Sequence, residues 1–169
     1  DLSYEKLEAL KAIGVNRLSI GIQSFQDSDL TFLNRAHDSA QAVKAVNDAQ
    51  KIGFDNITID LIYGIPGQTD RQWLDNMDQL RELNIPHFSA YALTVEHRTA
   101  LQKMIEKKQL APVDEEQTTR HFYLLHNWAI ANGYEGYEIS NFSRPGQRAV
   151  HNTGYWQGMQ YIGIGPSAH

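Results

Sequence analysis

The sequence predicts an α/β protein in which mainly parallel strands form a curved sheet with helices on its outer face. Strands and helices alternate along 169 residues, and strand–helix–strand units normally form right-handed crossovers between parallel strands. The strands are apolar on one face and small or polar on the other, whereas a sheet covered by helices on both faces is apolar on both. A barrel or partial barrel, with helices outside and a ligand cavity inside, fits this pattern.

The first half of the chain is predicted as helix, strand, two helices and strand. Gly14 is the stop signal of the first helix, because glycine favours the positions that follow a helix. The third helix begins with Ser39 as its N-cap and ends at Gly53, and the short helix before it is capped by Asp27 or Ser28. The predicted elements are helix 3–12, strand 16–25, helix 27–33, helix 39–53 and strand 56–63.

The second half continues the alternation and then becomes irregular. Trp73, Met77 and Leu80 fall on one face of a helix whose N-cap is Thr69 or Asp70, which is the spacing of an amphipathic helix. The predicted elements are helix 69–83, strand 87–94, helices 98–108 and 114–132 and strand 134–139, followed by a loop-rich segment at 140–169.

Composition and charge exclude several classes of protein. Hydrophobic residues make up 41% of the chain, which is enough for one domain with a real core. The net charge of −5 argues against nucleic-acid binding, which usually shows as a basic patch. We see no signal peptide and no apolar run near the roughly 20 residues of a membrane helix. We therefore expect a cytoplasmic protein that contacts a membrane only through a membrane-bound acceptor.

Polar side chains on two strands indicate a ligand cavity. The strand that carries Ile57, Ile59 and Leu61 on one face has a carboxylate, Asp60, on the other. A buried carboxylate normally has a partner or a ligand, and Gln23 near the end of the preceding strand can both donate and accept hydrogen bonds. Both lie near strand carboxyl ends, where β/α barrels build their sites. A structural role for either side chain, in bonding to nearby backbone or to an arginine, stays open.

Two further motifs carry candidate binding residues. Arg35 in LNRAHD can clamp a carboxylate through two hydrogen bonds, although a solvated surface arginine is the alternative. The motif HNTGYW places His151 close to Tyr155 and Trp156 in a segment rich in Gly, Pro and Asn, which we predict to be a mobile loop. Imidazole is a common ligand of haem iron, and aromatic rings can cover a flat macrocycle. The alternative is an aromatic anchor with an exposed histidine.

Six motifs, taken in order and spacing, resemble the radical S-adenosylmethionine (SAM) proteins, in the group of the oxygen-independent coproporphyrinogen III oxidase and its relatives. The resemblance covers nearly the whole chain and implies a partial (β/α)6 barrel. It also implies that residues 1–169 are part of the barrel domain and the start of the oxidase-like region that follows, truncated at both ends. The motifs are GVNRLSIGIQSF, LNRAHD, DLIYGIPGQT, YEISNFSRPGQ, HNTGYW and YIGIGPSAH.

The resemblance also implies cofactors and the residues that contact them. Members of the family bind SAM and a [4Fe-4S] cluster, the latter through C-x-x-x-C-x-x-C. This chain has no cysteine, so we expect the cluster ligands upstream of it, no metal ligand within it and no activity from this stretch alone. Gln23 and Asp60 match the family's polar contacts to SAM, and Arg35 matches the arginine near its methionine carboxylate.

Two functions compete within the family. One is an oxygen-independent coproporphyrinogen III dehydrogenase, which oxidatively decarboxylates two propionates of its substrate. The other is a haem chaperone, which binds haem and delivers it to an acceptor protein. HNTGYW and YEISNFSRPG look more like the chaperone branch, which we therefore favour, with His151, Tyr155 and Trp156 as candidate haem contacts. On either reading the partner is haem or a porphyrinogen, while the catalytic residues and the oligomeric state stay unassigned.

Overall fold

A computed structural model describes residues 2–166, apart from the side chain of residue 100. Five strands form one sheet in the order β1-β2-β3-β5-β4. The first three pair in parallel, and β5 runs antiparallel to both β3 and β4. The fold class predicted from the sequence is confirmed. The strands are β1 (Arg17–Gln23), β2 (Asn56–Tyr63), β3 (His87–Ala92), β4 (Glu135–Gly136) and β5 (Asn141–Ser143).

Helices connect and cover the strands. None of the helices among the described residues is both long and apolar enough to cross a membrane. The helices are α1 (Tyr4–Ala12), α2 (Asp27–Phe32), α3 (Ser39–Ile52), α4 (Asp70–Glu82), α5 (Ala100–Glu106), α6 (Glu115–Ala131) and α7 (Val150–Trp156).

The core lies between one face of the sheet and the helices. The alternating apolar side chains of β1 and β2 are buried there, as the strand pattern predicts. Trp73, Met77 and Leu80 of α4 are fully buried against them, so the predicted apolar face of this helix is confirmed. The other face of β1 and β2 carries small and polar side chains, and this polar face holds the candidate site.

Two predicted helix caps are wrong by one residue. Asp38, rather than Ser39, caps α3: its side chain accepts a hydrogen bond from the Gln41 backbone N–H in a capping box. The N-cap of α2 is Gln26, which makes no side-chain cap bond. Asp27 instead accepts a 2.8 Å hydrogen bond from the Ser39 backbone N–H, so it ties α2 to the start of α3.

The last third of the chain departs most from the prediction. The strand predicted at 134–139 shrinks to the two residues of β4, and the segment predicted as loop contains β5 and α7. All of HNTGYW is therefore helical, and the prediction of a loop there is wrong. Local sequence gives weak signals here because β5 is held by pairing with the distant β3, and α7 has a glycine within it and lacks a side-chain N-cap. The end of YIGIGPSAH lies outside the described residues.

Candidate functional site

Asp60 lies on the polar face of the sheet in the middle of β2, rather than near the carboxyl end of the strand as we expected from the sequence. It pairs in register with Gly21 of β1 and with Ser89 of β3, and its half-buried carboxylate accepts a 3.3 Å hydrogen bond from Ser19 Oγ. Burial raises the pKa of Asp60, and the Ser89 and Ser19 hydroxyls and the charge of Arg17 oppose this rise. The carboxylate thus sits among small hydroxyl groups on a face that is open to a ligand.

The guanidinium group of Arg17 lies on the same face but is engaged elsewhere. It donates hydrogen bonds to Asn56 Oδ1 and to Thr58 Oγ1 of the neighbouring strand. Its effect on Asp60 is that of a nearby charge. The geometry therefore gives little support to the alternative that Asp60 pairs with a structural arginine.

Gln23 and Arg35 meet over Gly21 at the carboxyl end of β1. Gln23 has a positive φ of 75°, at an irregularity in the β1–β2 register. A Cβ atom on Gly21 would lie 2.7 Å from Gln23 Nε2 and 3.9 Å from Arg35 Nη2, and Arg35 Nη2 donates a 3.4 Å hydrogen bond to the Gly21 carbonyl. Because Gly21 also pairs with Asp60, the structure groups all three candidate SAM contacts around one glycine.

A buried hydrogen-bond network, which sequence reasoning missed, fixes the loops at this end of the sheet. The carboxylate of Asp29 accepts a 2.7 Å hydrogen bond from Ser24 Oγ and another of 2.7 Å from Gln68 Nε2. Asn76 of α4 accepts a 2.6 Å hydrogen bond from the Phe25 backbone N–H. The network therefore joins the loop after β1 to α2, to α4 and to the loop after β2.

The long helix α6 adds further hydrogen bonds to this network. Gln117 Nε2 donates to the backbone carbonyls of Ile65 and Gln68, at 2.9 and 2.7 Å. One local signal could have revealed the network: Asn76 falls on the same face of α4 as Trp73 and Met77. An amide on an apolar helix face indicates a buried hydrogen-bond partner.

The glycine of the turn after β2 is packed directly beneath α6. Gly64 has a φ of 73°, and a Cβ there would lie 2.6 Å from Thr118 Oγ1. Its backbone N–H donates a 3.3 Å hydrogen bond to Nδ1 of the buried His121. Burial lowers the pKa of His121, although Asp70 opposes this, so the ring is suited to accept a hydrogen bond as neutral imidazole. Packing against α6 therefore accounts for the shape of the turn in DLIYGIPGQT at least as well as contact with a ligand would.

HNTGYW lies at the opposite end of the strands from Gln23 and Arg35. Asn152 Nδ2 of α7 donates a 3.3 Å hydrogen bond to Tyr137 Oη, and this hydroxyl is 2.7 Å from Nε2 of His87, the first residue of β3. This contact places α7 beside the amino ends of the strands. The structure therefore does not bring the candidate haem residues together with the candidate SAM residues.

The three candidate haem residues of α7 are largely exposed. His151 is exposed, and Tyr155 and Trp156 are 61% and 58% exposed. His151 and Tyr155 line an open cavity of about 580 Å³ between α7, the segment after it and the amino ends of β1 and β2, whereas Trp156 is not part of its lining. Arg17 and Arg148 lie on the wall of this cavity.

The sequence is similar to a set of named proteins along its whole length. A protein named heme chaperone HemW from Bacillus subtilis (strain 168) is 38% identical over 169 residues, which are 100% of this chain and 45% of the relative. A mitochondrial protein of Danio rerio, named radical S-adenosyl methionine domain-containing protein 1, is 35% identical over 97% of this chain and 37% of its own. The chain spans less than half the length of these curated relatives.

The fold of the chain is also found in solved structures. Coproporphyrinogen III oxidase (HemN) from Escherichia coli, described as a radical SAM enzyme, matches with a TM-score of 0.76 and 28% identity, over 94% of this chain and 36% of that one. Elp3 from Methanocaldococcus infernus matches with a TM-score of 0.60 at 18% identity, over 73% of this chain and 29% of that one, and supports the fold alone. The sequence model of the Radical SAM superfamily matches residues 1–80. Sequence and fold therefore agree, and the chain belongs to the Radical SAM superfamily.

Proposed function

We propose that this protein is a haem chaperone of the Radical SAM superfamily, which binds haem and passes it to an acceptor protein in the cytoplasm. Residues 1–169 would form part of its barrel domain and the start of the region that follows. The relatives named heme chaperone support this reading, since they match the whole chain at up to 38% identity.

One structural observation carries the proposal. His151 and Tyr155 line a single open cavity whose volume of about 580 Å³ is in the range of small-molecule sites. The imidazole can bind iron, and the ring of Tyr155 can lie against a macrocycle. Arg17 and Arg148 lie on the same wall, where Arg17 donates to Asn56 and Thr58 and Arg148 pairs with Glu135. They would exchange these partners to bind the two propionates of haem. Trp156 lies next to Tyr155 at the end of α7, where it could extend the aromatic surface.

The experiment is a haem titration of the natural-length protein, followed by the Soret band. The His151→Ala variant should bind haem at least roughly tenfold more weakly, because it loses a bond to iron. His97→Ala, which removes another exposed histidine, should bind like the wild type. Equal affinities and spectra for wild type and His151→Ala would overturn the assignment of His151, and a wild type that binds no haem would overturn the function.

The polar face supports a second part of the proposal, a SAM site at Gln23, Arg35 and Asp60. Because Gly21 has no side chain, the Gln23 amide can lie directly over the β1 backbone. A carboxylate with an amide suits ribose hydroxyls and an amino group. Arg35 would hold the methionine carboxylate.

Members of the superfamily use SAM together with a [4Fe-4S] cluster. When both are bound, the two cofactors supply the chemistry of one-electron cleavage. No residue of this chain fits the cluster, because it has no cysteine.

A second candidate function is favoured by the solved structure of HemN, named as a coproporphyrinogen III oxidase. In that case the protein would decarboxylate two propionates of coproporphyrinogen III. The two functions are separated by incubating the reconstituted natural-length protein with SAM, a reductant and coproporphyrinogen III. Appearance of the doubly decarboxylated product would favour the enzyme, and haem binding without product formation would favour the chaperone.

A further inference from the structure

We propose that Tyr137 is a positioning residue of the cavity that contains His151: its hydroxyl fixes α7, and its ring holds Arg148 on the cavity wall. This inference rests on the proposed function, since the effect that it predicts is measured with haem. It assigns a role to a residue that lies outside HNTGYW and does not itself line the cavity.

The helix α7 depends on other elements for its orientation. It has seven residues, contains Gly154 and lacks a side-chain N-cap, and a helix this short is not stable by itself in water. Among the described residues, the 3.3 Å hydrogen bond from Asn152 Nδ2 to Tyr137 Oη is the only one that a side chain of α7 makes. The tyrosine hydroxyl is therefore the polar contact that fixes this helix.

Tyr137 is itself held by the sheet. Its hydroxyl lies 2.7 Å from Nε2 of His87, the first residue of β3, which is 1% exposed. Its backbone N–H donates a 3.2 Å hydrogen bond to the Asn141 carbonyl of β5. Burial lowers the pKa of His87 to about 4, so the neutral ring can accept the hydroxyl proton. Asn152 thus donates to Tyr137 and Tyr137 donates to His87, which connects α7 to the sheet.

This connection acts on His151 because Asn152 follows it directly. Neighbouring positions of an α-helix lie about 100° apart around its axis. A hydrogen bond that fixes Asn152 therefore also fixes the side of α7 from which His151 extends. His151 is exposed and lines the cavity, so loss of the anchor would let the imidazole move relative to the cavity wall.

The ring of Tyr137 acts on a second part of the cavity wall. The guanidinium carbon of Arg148 lies 5.5 Å from the centre of this ring, within the range of a cation–π contact, and Arg148 lines the cavity. Glu135 pairs with the same guanidinium group at 3.1 Å. When a haem propionate replaces Glu135, the tyrosine ring can still keep the guanidinium group on the wall.

The first test removes the hydroxyl in the natural-length protein. Tyr137→Phe keeps the ring beside Arg148, whereas Asn152→Ala cuts the same hydrogen bond from the α7 side and leaves the one between Tyr137 and His87. Each variant should bind haem roughly 3- to 10-fold more weakly, the effect of one hydrogen bond, and should change the Soret spectrum. The double variant should bind no more weakly than Tyr137→Phe. Tyr123→Phe, at an exposed position of α6, should bind like the wild type.

Two further measurements separate the hydroxyl from the ring and from haem itself. Hydrogen exchange of the α7 backbone amides in the haem-free protein should become faster in Tyr137→Phe and Asn152→Ala, but not in Tyr123→Phe. Tyr137→Leu also removes the ring, so it should weaken haem binding more than Tyr137→Phe does. This additional loss should disappear in the presence of Arg148→Gln.

The outcomes distinguish this inference from the function on which it rests. If haem binds in a His151-dependent way and Tyr137→Phe and Asn152→Ala keep the wild-type affinity and spectrum, Tyr137 is not a positioning residue and the chaperone proposal stands. Additive losses in the double variant, or unchanged exchange in α7, would also overturn the inference. If the wild type binds no haem, both proposals fail.

Discussion

The side-chain amide of Gln68 donates a 2.7 Å hydrogen bond to the carboxylate of Asp29, and both side chains are buried. This bond ties the loop after β2 to α2, at the end of the sheet where Gln23 and Arg35 meet. Ser24 Oγ donates to the same carboxylate oxygen, so two neutral donors hold a buried carboxylate.

Removing that carboxylate should destabilise the fold. Asp29→Ala leaves the Gln68 amide without its partner in the interior and removes one hydrogen bond from Ser24 Oγ, which keeps its contacts with Asn76. We therefore expect the free energy of unfolding to fall by roughly 1–3 kcal/mol. Urea denaturation measures this change. Asp55→Ala, at an exposed position, should stay within about 0.5 kcal/mol of the wild type. A similar loss in both variants would show that the network adds little stability.

Two glycines of the turn after β2 offer a matched pair of substitutions. Gly64 and Gly67 both have positive φ, of 73° and 84°, but a Cβ would meet Thr118 Oγ1 at 2.6 Å only at the first of them. Gly67→Ala should cost about 1 kcal/mol of backbone strain. Gly64→Ala should cost more, because α6 must also move. Equal unfolding midpoints in thermal denaturation would contradict the close packing of α6.

The stability of the protein should fall in acid because of His87. Burial, with a smaller contribution from the charge of Arg17, lowers the pKa of His87 to about 4. Between pH ~6.5 and pH ~4 the unfolded chain therefore binds a proton that the folded protein does not, and the free energy of unfolding declines across this window by up to about 3 kcal/mol. The lowered pKa of His121 acts in the same direction.

Substitution isolates the share of His87 in this decline. The free energy of unfolding of the His87→Gln variant should fall less steeply between pH ~6.5 and pH ~4 than that of the wild type. Urea denaturation at a series of pH values measures both slopes. His97→Gln, at an exposed position, should leave the slope unchanged. Parallel pH profiles for His87→Gln and the wild type would show that the ring is not kept neutral by burial.

Asp60 should contribute to SAM affinity in the natural-length protein. Asp60→Ala removes one hydrogen-bonded charged group, which weakens binding by roughly 1.5–3 kcal/mol, or about 10- to 100-fold. Calorimetry measures the affinity directly, with Asp55→Ala as the control. Because burial raises the pKa of Asp60, acidification through that pKa protonates the carboxylate and should weaken SAM binding in the wild type. An affinity unchanged by Asp60→Ala would remove Asp60 from the site.

The sequence by itself determined which face of each long element is buried. Alternation at Ile57, Ile59 and Leu61 and the spacing of Trp73 and Met77 are local periods, and each period places its apolar residues on one side of a strand or helix. For that reason the parallel strands, the covering helices and the polar character of the face around Asp60 could all be predicted without coordinates.

Only the tertiary structure decided which groups that are distant in sequence become neighbours. The pairing of β5 with β3 and the hydrogen bond between Asp29 and Gln68 both join groups that are far apart in sequence, and no local period encodes either contact. HNTGYW forms a helix that is held by a hydrogen bond from Asn152 to Tyr137. It lies at the opposite end of the strands from Gln23. The physical reason is that short elements and buried polar groups are stabilised by partners distant in sequence, and those partners meet only once the long elements have packed.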